Sequence, residues 1–196
     1  MEKERADLVK KFIEINSQIN LSAIRDEEWI YIKHILDSIE LDKVLKFKNW
    51  SSVCDIGTGG WFPLVPLAMT NPDINFIWID SVNKKLKAVW EIISFLWLKN
   101  INLVWTRAED FHQKFNYVVV RSVWYVDKLF VWSRNLIKSD WYLILYKWFD
   151  LQERKDLIDL SKKHRLKLIK EHKYRLFEWD IERVIYVLKK RYWLQT

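Results

Sequence analysis

At 196 residues, half of them hydrophobic, the chain has material for one domain with a sizeable core, at most with a small appendage. A formal charge of +7 favours an anionic partner, with nucleic acid ahead of an acidic membrane. The single cysteine, Cys54, excludes an internal disulfide, and four scattered histidines beside it make no metal site.

The predicted elements follow in chain order. Leu8, Phe12, Ile15 and Ile19 recur at helical spacing, and a second helical run starts at Asp26 and carries Lys33, His34 and Asp37. The first strand covers 51–56 and ends at Asp55-Ile-Gly57-Thr-Gly-Gly60. A strand at 74–79 ends at Asp80, and a Lys-rich helix follows over 83–96. Strands at 102–105 and 116–121 precede a helix at 126–137, with a turn at 138–142. A strand at 142–147, a helix at 150–163 and two last strands near 166–175 and 182–189 complete the chain. Strands alternating with helices imply a mostly parallel sheet covered on both faces, a Rossmann-like α/β fold. Two consecutive strands at the end imply an antiparallel edge. Residues 1–48 read as an N-terminal helical cap on a domain spanning 49–196. No apolar run approaches the ~18 residues of a membrane span, and no apolar signal segment follows the N-terminal Met-Glu-Lys-Glu-Arg. The expected compartment is the cytoplasm.

In an open α/β sheet, ligands bind beyond the carboxyl ends of the strands. There the chain places a glycine turn, through which backbone can approach a ligand closely. It also places Asp80, an acid about 20 residues further on, suited to ribose hydroxyls. Arg107-Ala108-Glu109-Asp110 follows the third strand, and Arg121-Ser122 ends the fourth. A dinucleotide fingerprint G-x-G-x-x-G needs a final glycine, and here that position is Phe62. The set fits an S-adenosylmethionine site better.

Asn20-Leu-Ser-Ala-Ile-Arg-Asp26, Lys33-His34-Ile-Leu-Asp37-Ser38, Asp55-Ile-Gly-Thr-Gly, Phe62-Pro63, Pro66, Asp80-Ser81 with Lys84-Lys85, Arg107-Ala-Glu-Asp110 and Val120-Arg121 occur in this order. Together they resemble the RsmG (GidB) family of bacterial methyltransferases acting on N7 of a guanine in 16S ribosomal RNA, the guanine-527 type. The resemblance runs from about residue 16 to 148 and continues loosely to Lys189. It implies an S-adenosylmethionine-dependent methyltransferase acting on 16S rRNA or a small-subunit precursor, monomeric and away from membranes. Under it, Gly57 and Phe62 line the methionine and sulfonium end of the cofactor. Asp80 holds the ribose, Ala108 and Glu109 contact adenine, and Arg121 lies at the cofactor site. Arg25, Lys33 and His34 face the RNA entrance. Guanine N7 has a lone pair and no proton, so no catalytic general base is expected. Two alternatives stand beside this reading. One is a methyltransferase of the same fold acting on another RNA or a small molecule. The other is a non-catalytic RNA-binding protein, if Trp61 fills the pocket. His34 and Asp37 also have plain readings, as a satisfied half-buried histidine and a helix-surface acid. The basic run from Lys162 to Arg175 is either a solvated face or a surface that tracks phosphates.

Thirteen tryptophans accompany only three glycines, whereas a chain of this size usually has about 14 glycines. Against the family pattern, Trp50, Trp61, Trp97, Trp141 and Trp148 stand where glycine is usual. The tryptophans are core aromatics, stacking platforms for bases, or products of reading UGA as tryptophan in a gene whose host reads it as glycine.

Overall fold

A computed structural model describes residues 2–57, 61–121, 126–178 and 180–191. Thr58, Gly59 and Gly60 of the glycine turn, Ser122, Trp124, Trp179 and the terminus from Tyr192 lie outside the described residues.

Seven strands form one sheet in the order β3-β2-β1-β4-β5-β7-β6. The parallel part comprises β1 (Ser52–Ile56), β2 (Asn75–Asp80), β3 (Ile101–Trp105), β4 (Phe115–Arg121) and β5 (Ile137–Trp148). The chain then makes β6 (Leu166–Tyr174) at the edge and returns as β7 (Arg183–Lys190). That last strand inserts antiparallel between β5 and β6. β1 pairs with β2 on one side and β4 on the other, so the strand order reverses at β1. A ligand crevice opens at such a switch point.

The strand sequences explain the layering. Val118, Val119, Ile144 and Leu145 are wholly buried, because helices cover both faces of the central strands. Each such side chain contributes about 1.5–3 kcal/mol by leaving water. On one face α1 (Glu2–Ile19) sends Leu8, Phe12 and Ile15 into the same core as Phe76 of β2 and Val89 and Ile92 of α6 (Asn83–Phe95). On the other face α7 (Val126–Leu136) and α8 (Leu151–Lys163) pack over β4 and β5 through Leu129, Phe130 and Leu157. Asp150 caps α8 by accepting the Glu153 N–H at 2.7 Å.

Two elements differ from the sequence reading. Leu64–Thr70 forms a short helix, α5, nearly all buried. Its run Leu-Val-Pro-Leu-Ala-Met has no polar face to create a 3.6 period, so periodicity could not reveal it. The expected turn at 138–142 is instead part of β5, which starts at Ile137 and carries a register shift against β4. The left-handed residue there is Asp140, φ 68°, not Trp141.

The N-terminal region continues from α1 through α2 (Glu27–Ile30), a π-helical turn (Tyr31–Leu36), α3 (Asp37–Ile39) and α4 (Leu41–Val44). Asp26 caps the entry by accepting the Trp29 N–H at 3.0 Å. A π turn inside a helix often marks a functional position, and this one carries His34 to Arg121 at the end of β4. No described helix is long and apolar enough to cross a membrane.

Candidate active site

The carboxyl ends of β1 and β2 meet so closely that only glycine fits at 57. A Cβ there would lie 2.6 Å from both the Ile79 carbonyl oxygen and Asp80 Oδ2. The Gly57 N–H donates to the Ile79 carbonyl at 2.8 Å, which locks the start of the turn to β2. Asp80 is buried, and its Oδ1 accepts the Val82 N–H at 2.8 Å. Lys85 Nζ stands 3.9 Å from Oδ2. The third strand joins the same edge: the Thr106 N–H reaches the Asp80 carbonyl at 3.1 Å, and the Trp105 indole N–H reaches the Ser81 carbonyl at 3.0 Å. Ala108 is buried in the 3-10 turn Ala108–Asp110, and Glu109 beside it is exposed. Gly57, Asp80 and the Ala108 turn therefore lie along neighbouring strand ends, β1 to β3, in the order the sequence implied.

Asp55 lies in β1, two residues before Gly57, and is buried. Burial pushes its carboxyl up to about 7, against the pull of the Arg121 charge and the Leu64 N–H that donates to it.

A second group assembles where the cap meets β4. Arg121 Nη1 donates to Asp37 Oδ2 at 3.0 Å, and Nη2 contacts His34 Nδ1 at 3.1 Å. A guanidinium can only donate, so His34 Nδ1 must accept and the ring carries its proton on Nε2. That Nε2–H faces Ser22 Oγ at 3.0 Å. Burial first, then the positive charge of Arg121, lowers the His34 pKa to about 3, which agrees with this neutral tautomer. The His34 ring stacks on Phe62 at 4.6 Å and 16°, and Arg121 lies over the same Phe62 ring at 5.4 Å.

Asp37 is a buried hub rather than a surface acid. Its Oδ1 accepts Tyr174 OH at 2.7 Å and pairs with Arg183 Nη1 at 3.1 Å, while Oδ2 takes Arg121. Arg183 Nε lies 3.5 Å from Asp180 Oδ2, an ion pair without hydrogen-bond geometry. Burial raises the Tyr174 pKa, and the neighbouring Asp37 carboxylate raises it further. Tyr146 OH donates to the Ser38 carbonyl at 2.6 Å. The cap is thus tied to β4, β5, β6 and β7 by polar contacts within three residues of Asp37.

Of the residues expected at an RNA entrance, Arg25 is exposed, with its guanidinium on Asn20 Oδ1 at 3.0 Å. Lys33 lies over the Trp29 ring at 4.4 Å. His34 is half-buried, with both ring nitrogens and one ring face engaged inside the protein. Tyr174 and Arg183 were missed. They sit in late strands whose register against the cap leaves no local trace in the sequence.

Part of the basic run is also committed internally. Lys170 donates to the Val44 carbonyl at 2.6 Å, and Lys173 lies over the Phe149 ring. His172 pairs with Glu40 at 2.9 Å. His164 stacks on Phe130 at 5.4 Å, and burial lowers its pKa.

Trp61, immediately before Phe62, is buried to 1% exposure with φ 67°. Its ring lies edge-on to Phe12 of α1 at 4.9 Å, and its Nε1–H has no partner among the described residues. A left-handed backbone costs roughly 1–2 kcal/mol for a residue with a Cβ. An unmade hydrogen bond costs about another 1–3.

Residues 2–178 match the GidB family, described as rRNA small subunit methyltransferase G. The chain belongs to this family. It is 34% identical to the ribosomal RNA small subunit methyltransferase G of Lactobacillus helveticus, over 96% of this chain and 83% of that one. It is 40% identical to the Bacteroides fragilis protein of the same name, over 62% of this chain; that match spans 59% of the Bacteroides protein's length. The fold is that of Rossmann-like methyltransferases. A structure of M. jannaschii TYW2 in complex with AdoMet superposes with a TM-score of 0.63 at 17% identity, over 80% of this chain and 77% of that one.

Proposed function

We propose that this protein transfers a methyl group from S-adenosylmethionine to N7 of a guanine in 16S rRNA of the small ribosomal subunit, at a site of the guanine-527 type. The observation that carries the reading is the junction of Gly57 with Asp80. At the switch point of the sheet a carboxylate fills the space that any other residue's Cβ would need. That arrangement suits a ligand with a ribose beside a glycine turn.

In this reading Asp80 accepts the ribose hydroxyls, and Ala108 and Glu109 border the adenine. Gly57 and Phe62 border the methionine end, whose sulfonium supplies an electrophilic methyl group when the cofactor is bound. The guanine supplies the electron pair from N7 and loses no proton. Residues of this chain therefore have only to hold, align and exclude water. Arg121 is a positioning residue. Asp37 and His34 fix its guanidinium, and Phe62 lies under it. His34 serves as a neutral, oriented acceptor and not as a proton donor. Arg25 and Lys33, on the outer side of the cap, meet the RNA. Residues 1–48 act as a cap over the methyltransferase domain 49–196, and the working protein is a cytoplasmic monomer.

The test is transfer of labelled methyl groups to small subunits and, separately, to naked 16S rRNA, other RNAs and small acceptors. Label as N7-methylguanine in 16S rRNA supports the reading. Label confined to another acceptor replaces it with a methyltransferase of different substrate. One observation favours a second reading: Trp61, next in sequence to the glycine turn, is buried against Phe12 and Phe62. A chain that binds RNA but takes up no S-adenosylmethionine would be a non-catalytic RNA-binding protein.

A further inference from the structure

Six described residues other than glycine adopt a left-handed backbone: Asn20, Trp50, Trp61, Trp97, Asp140 and Arg165. Three are tryptophans, out of the ten tryptophans that the structure describes. The remaining three come from all other residue types together, and two of them are Asn and Asp, which tolerate this region best. Every glycine of the chain, meanwhile, lies between positions 57 and 60.

Each of the three tryptophans occupies a backbone position with a recognisable demand for glycine. Trp97 follows α6 at the residue after its C-cap. Its N–H donates to the Ser94 carbonyl at 3.2 Å, and the next N–H, of Leu98, donates to the Ile93 carbonyl at 3.1 Å. These two bonds are the complete Schellman motif, whose left-handed residue is usually glycine. Trp50 is the third residue of a turn closed by Ser51 N–H to the Lys48 carbonyl at 3.1 Å. A positive φ there is the signature of turns that select glycine. Trp61 is in the turn between β1 and α5, and its carbonyl accepts the Val65 N–H at 3.1 Å.

A strained bulky residue persists where its side chain gains something in return. Trp50 and Trp97 are 81% and 84% exposed, so neither indole gains from burial. Trp61 is buried, but its N–H finds no partner among the described residues. Trp148 differs: it carries Arg183 over its ring at 4.1 Å and has no left-handed backbone. Trp141 packs against Tyr117 at 5.4 Å and is not left-handed either.

We infer that the working protein carries glycine at positions 50, 61 and 97. The corresponding codons are UGA, read as glycine by the host and as tryptophan in the written chain. With glycine at 61, the indole that packs on Phe12 and beside Phe62 is absent, and the turn is free to take the cofactor. This last consequence rests on the methyltransferase reading; the identity of the three residues does not.

The test has two arms. Codons 50, 61 and 97 are read from the gene, and the protein isolated from its own host is digested and its peptides weighed. UGA codons and glycine masses are expected, and UGG codons with tryptophan masses would overturn the inference. In the second arm Trp61→Gly and the written chain are titrated with S-adenosylmethionine, folding being checked by circular dichroism. The Trp61→Gly protein should bind roughly tenfold tighter or better. Glycine found at 61 with no binding by a folded Trp61→Gly protein would leave the residue identity standing and remove the cofactor reading.

Discussion

Asp37 and Arg121 meet at 3.0 Å across 84 positions of the chain, and this pair fastens the helical cap to the end of β4. Arg183 and Tyr174 reach the same carboxylate. Removing the charge leaves two buried guanidinium groups short of a partner, which costs about 3–5 kcal/mol. Asp37→Asn should therefore lower the midpoint in urea. At temperatures where it stays folded, it should reduce kcat at least tenfold while the KM for S-adenosylmethionine changes little. Tyr174→Phe removes one hydrogen bond, costs about 1 kcal/mol, and leaves kcat nearly intact. Equal loss of kcat in both variants would mean that the hub is only structural.

Gly57→Ala places a methyl group 2.6 Å from a backbone carbonyl and from Asp80 Oδ2. Either the turn or Asp80 must move. Affinity for S-adenosylmethionine, measured by calorimetry, should fall at least tenfold. An unchanged affinity would show that this junction is not where the cofactor sits.

His34 and Asp55 give stability opposite pH dependences. The folded pKa of His34 is depressed from 6.5 to about 3, so between those values the unfolded chain binds the extra proton. Its contribution to stability is complete above pH 6.5 and is lost as pH falls toward 3. Asp55 is raised from 3.8 to about 7, so in that window the folded state holds the extra proton. Its neutral form is at home in the fold at low pH, and stability declines as pH rises through 3.8 to 7. The two slopes, each at most about 1.4 kcal/mol per pH unit, oppose one another between about pH 4 and 6.5. Urea titrations across this range should show His34→Gln losing stability as pH rises and Asp55→Asn gaining it. The reverse signs would contradict the burial of either group.

Two tryptophans, one inside α6 and one just past its end, separate backbone strain from surface chemistry. Trp97 sits at the left-handed residue after α6, and Trp90 lies inside that helix, 60% exposed. Trp97→Gly relieves about 1–2 kcal/mol of strain and loses about 0.5–1 to the greater freedom of the unfolded chain. The net gain of about 0.5–1 kcal/mol should raise Tm by roughly 1–4 °C. Trp90→Gly weakens the helix by about 0.5 kcal/mol and should lower Tm. Both variants moving in the same direction would refute the backbone argument.

Strands β1 and β2 were legible because they are short apolar runs ending at Gly57 and Asp80, and the site because Gly57, Asp80 and Arg121 stand at strand ends. The all-apolar helix Leu64–Thr70 was not legible, since a segment buried all round shows no period. Asp37 was identified as part of a motif, but its partners were hidden. Tyr174 and Arg183 come to it through the antiparallel return of β7 between β5 and β6, which only tertiary pairing fixes. The left-handed backbone at 50, 61 and 97 agrees with the family pattern of glycines. At 141 the demand fell one residue earlier, on Asp140.

Guanine N7 offers no proton, so the rate of transfer should not depend on a general base. With saturating RNA, kcat should stay flat from about pH 7.5 to 9. A sigmoidal rise that disappears in one Asp, Glu or His variant would require a base that the site does not provide.

The most direct measurement is methyl transfer by the protein with glycine at position 61 to small ribosomal subunits lacking the modification, followed by mapping of the labelled base. One N7-methylguanine in 16S rRNA, lost in Gly57→Ala and strongly reduced in Asp37→Asn, is the predicted result. Saturable binding of S-adenosylmethionine with no label in 16S rRNA under any salt or assembly condition would contradict the proposed function.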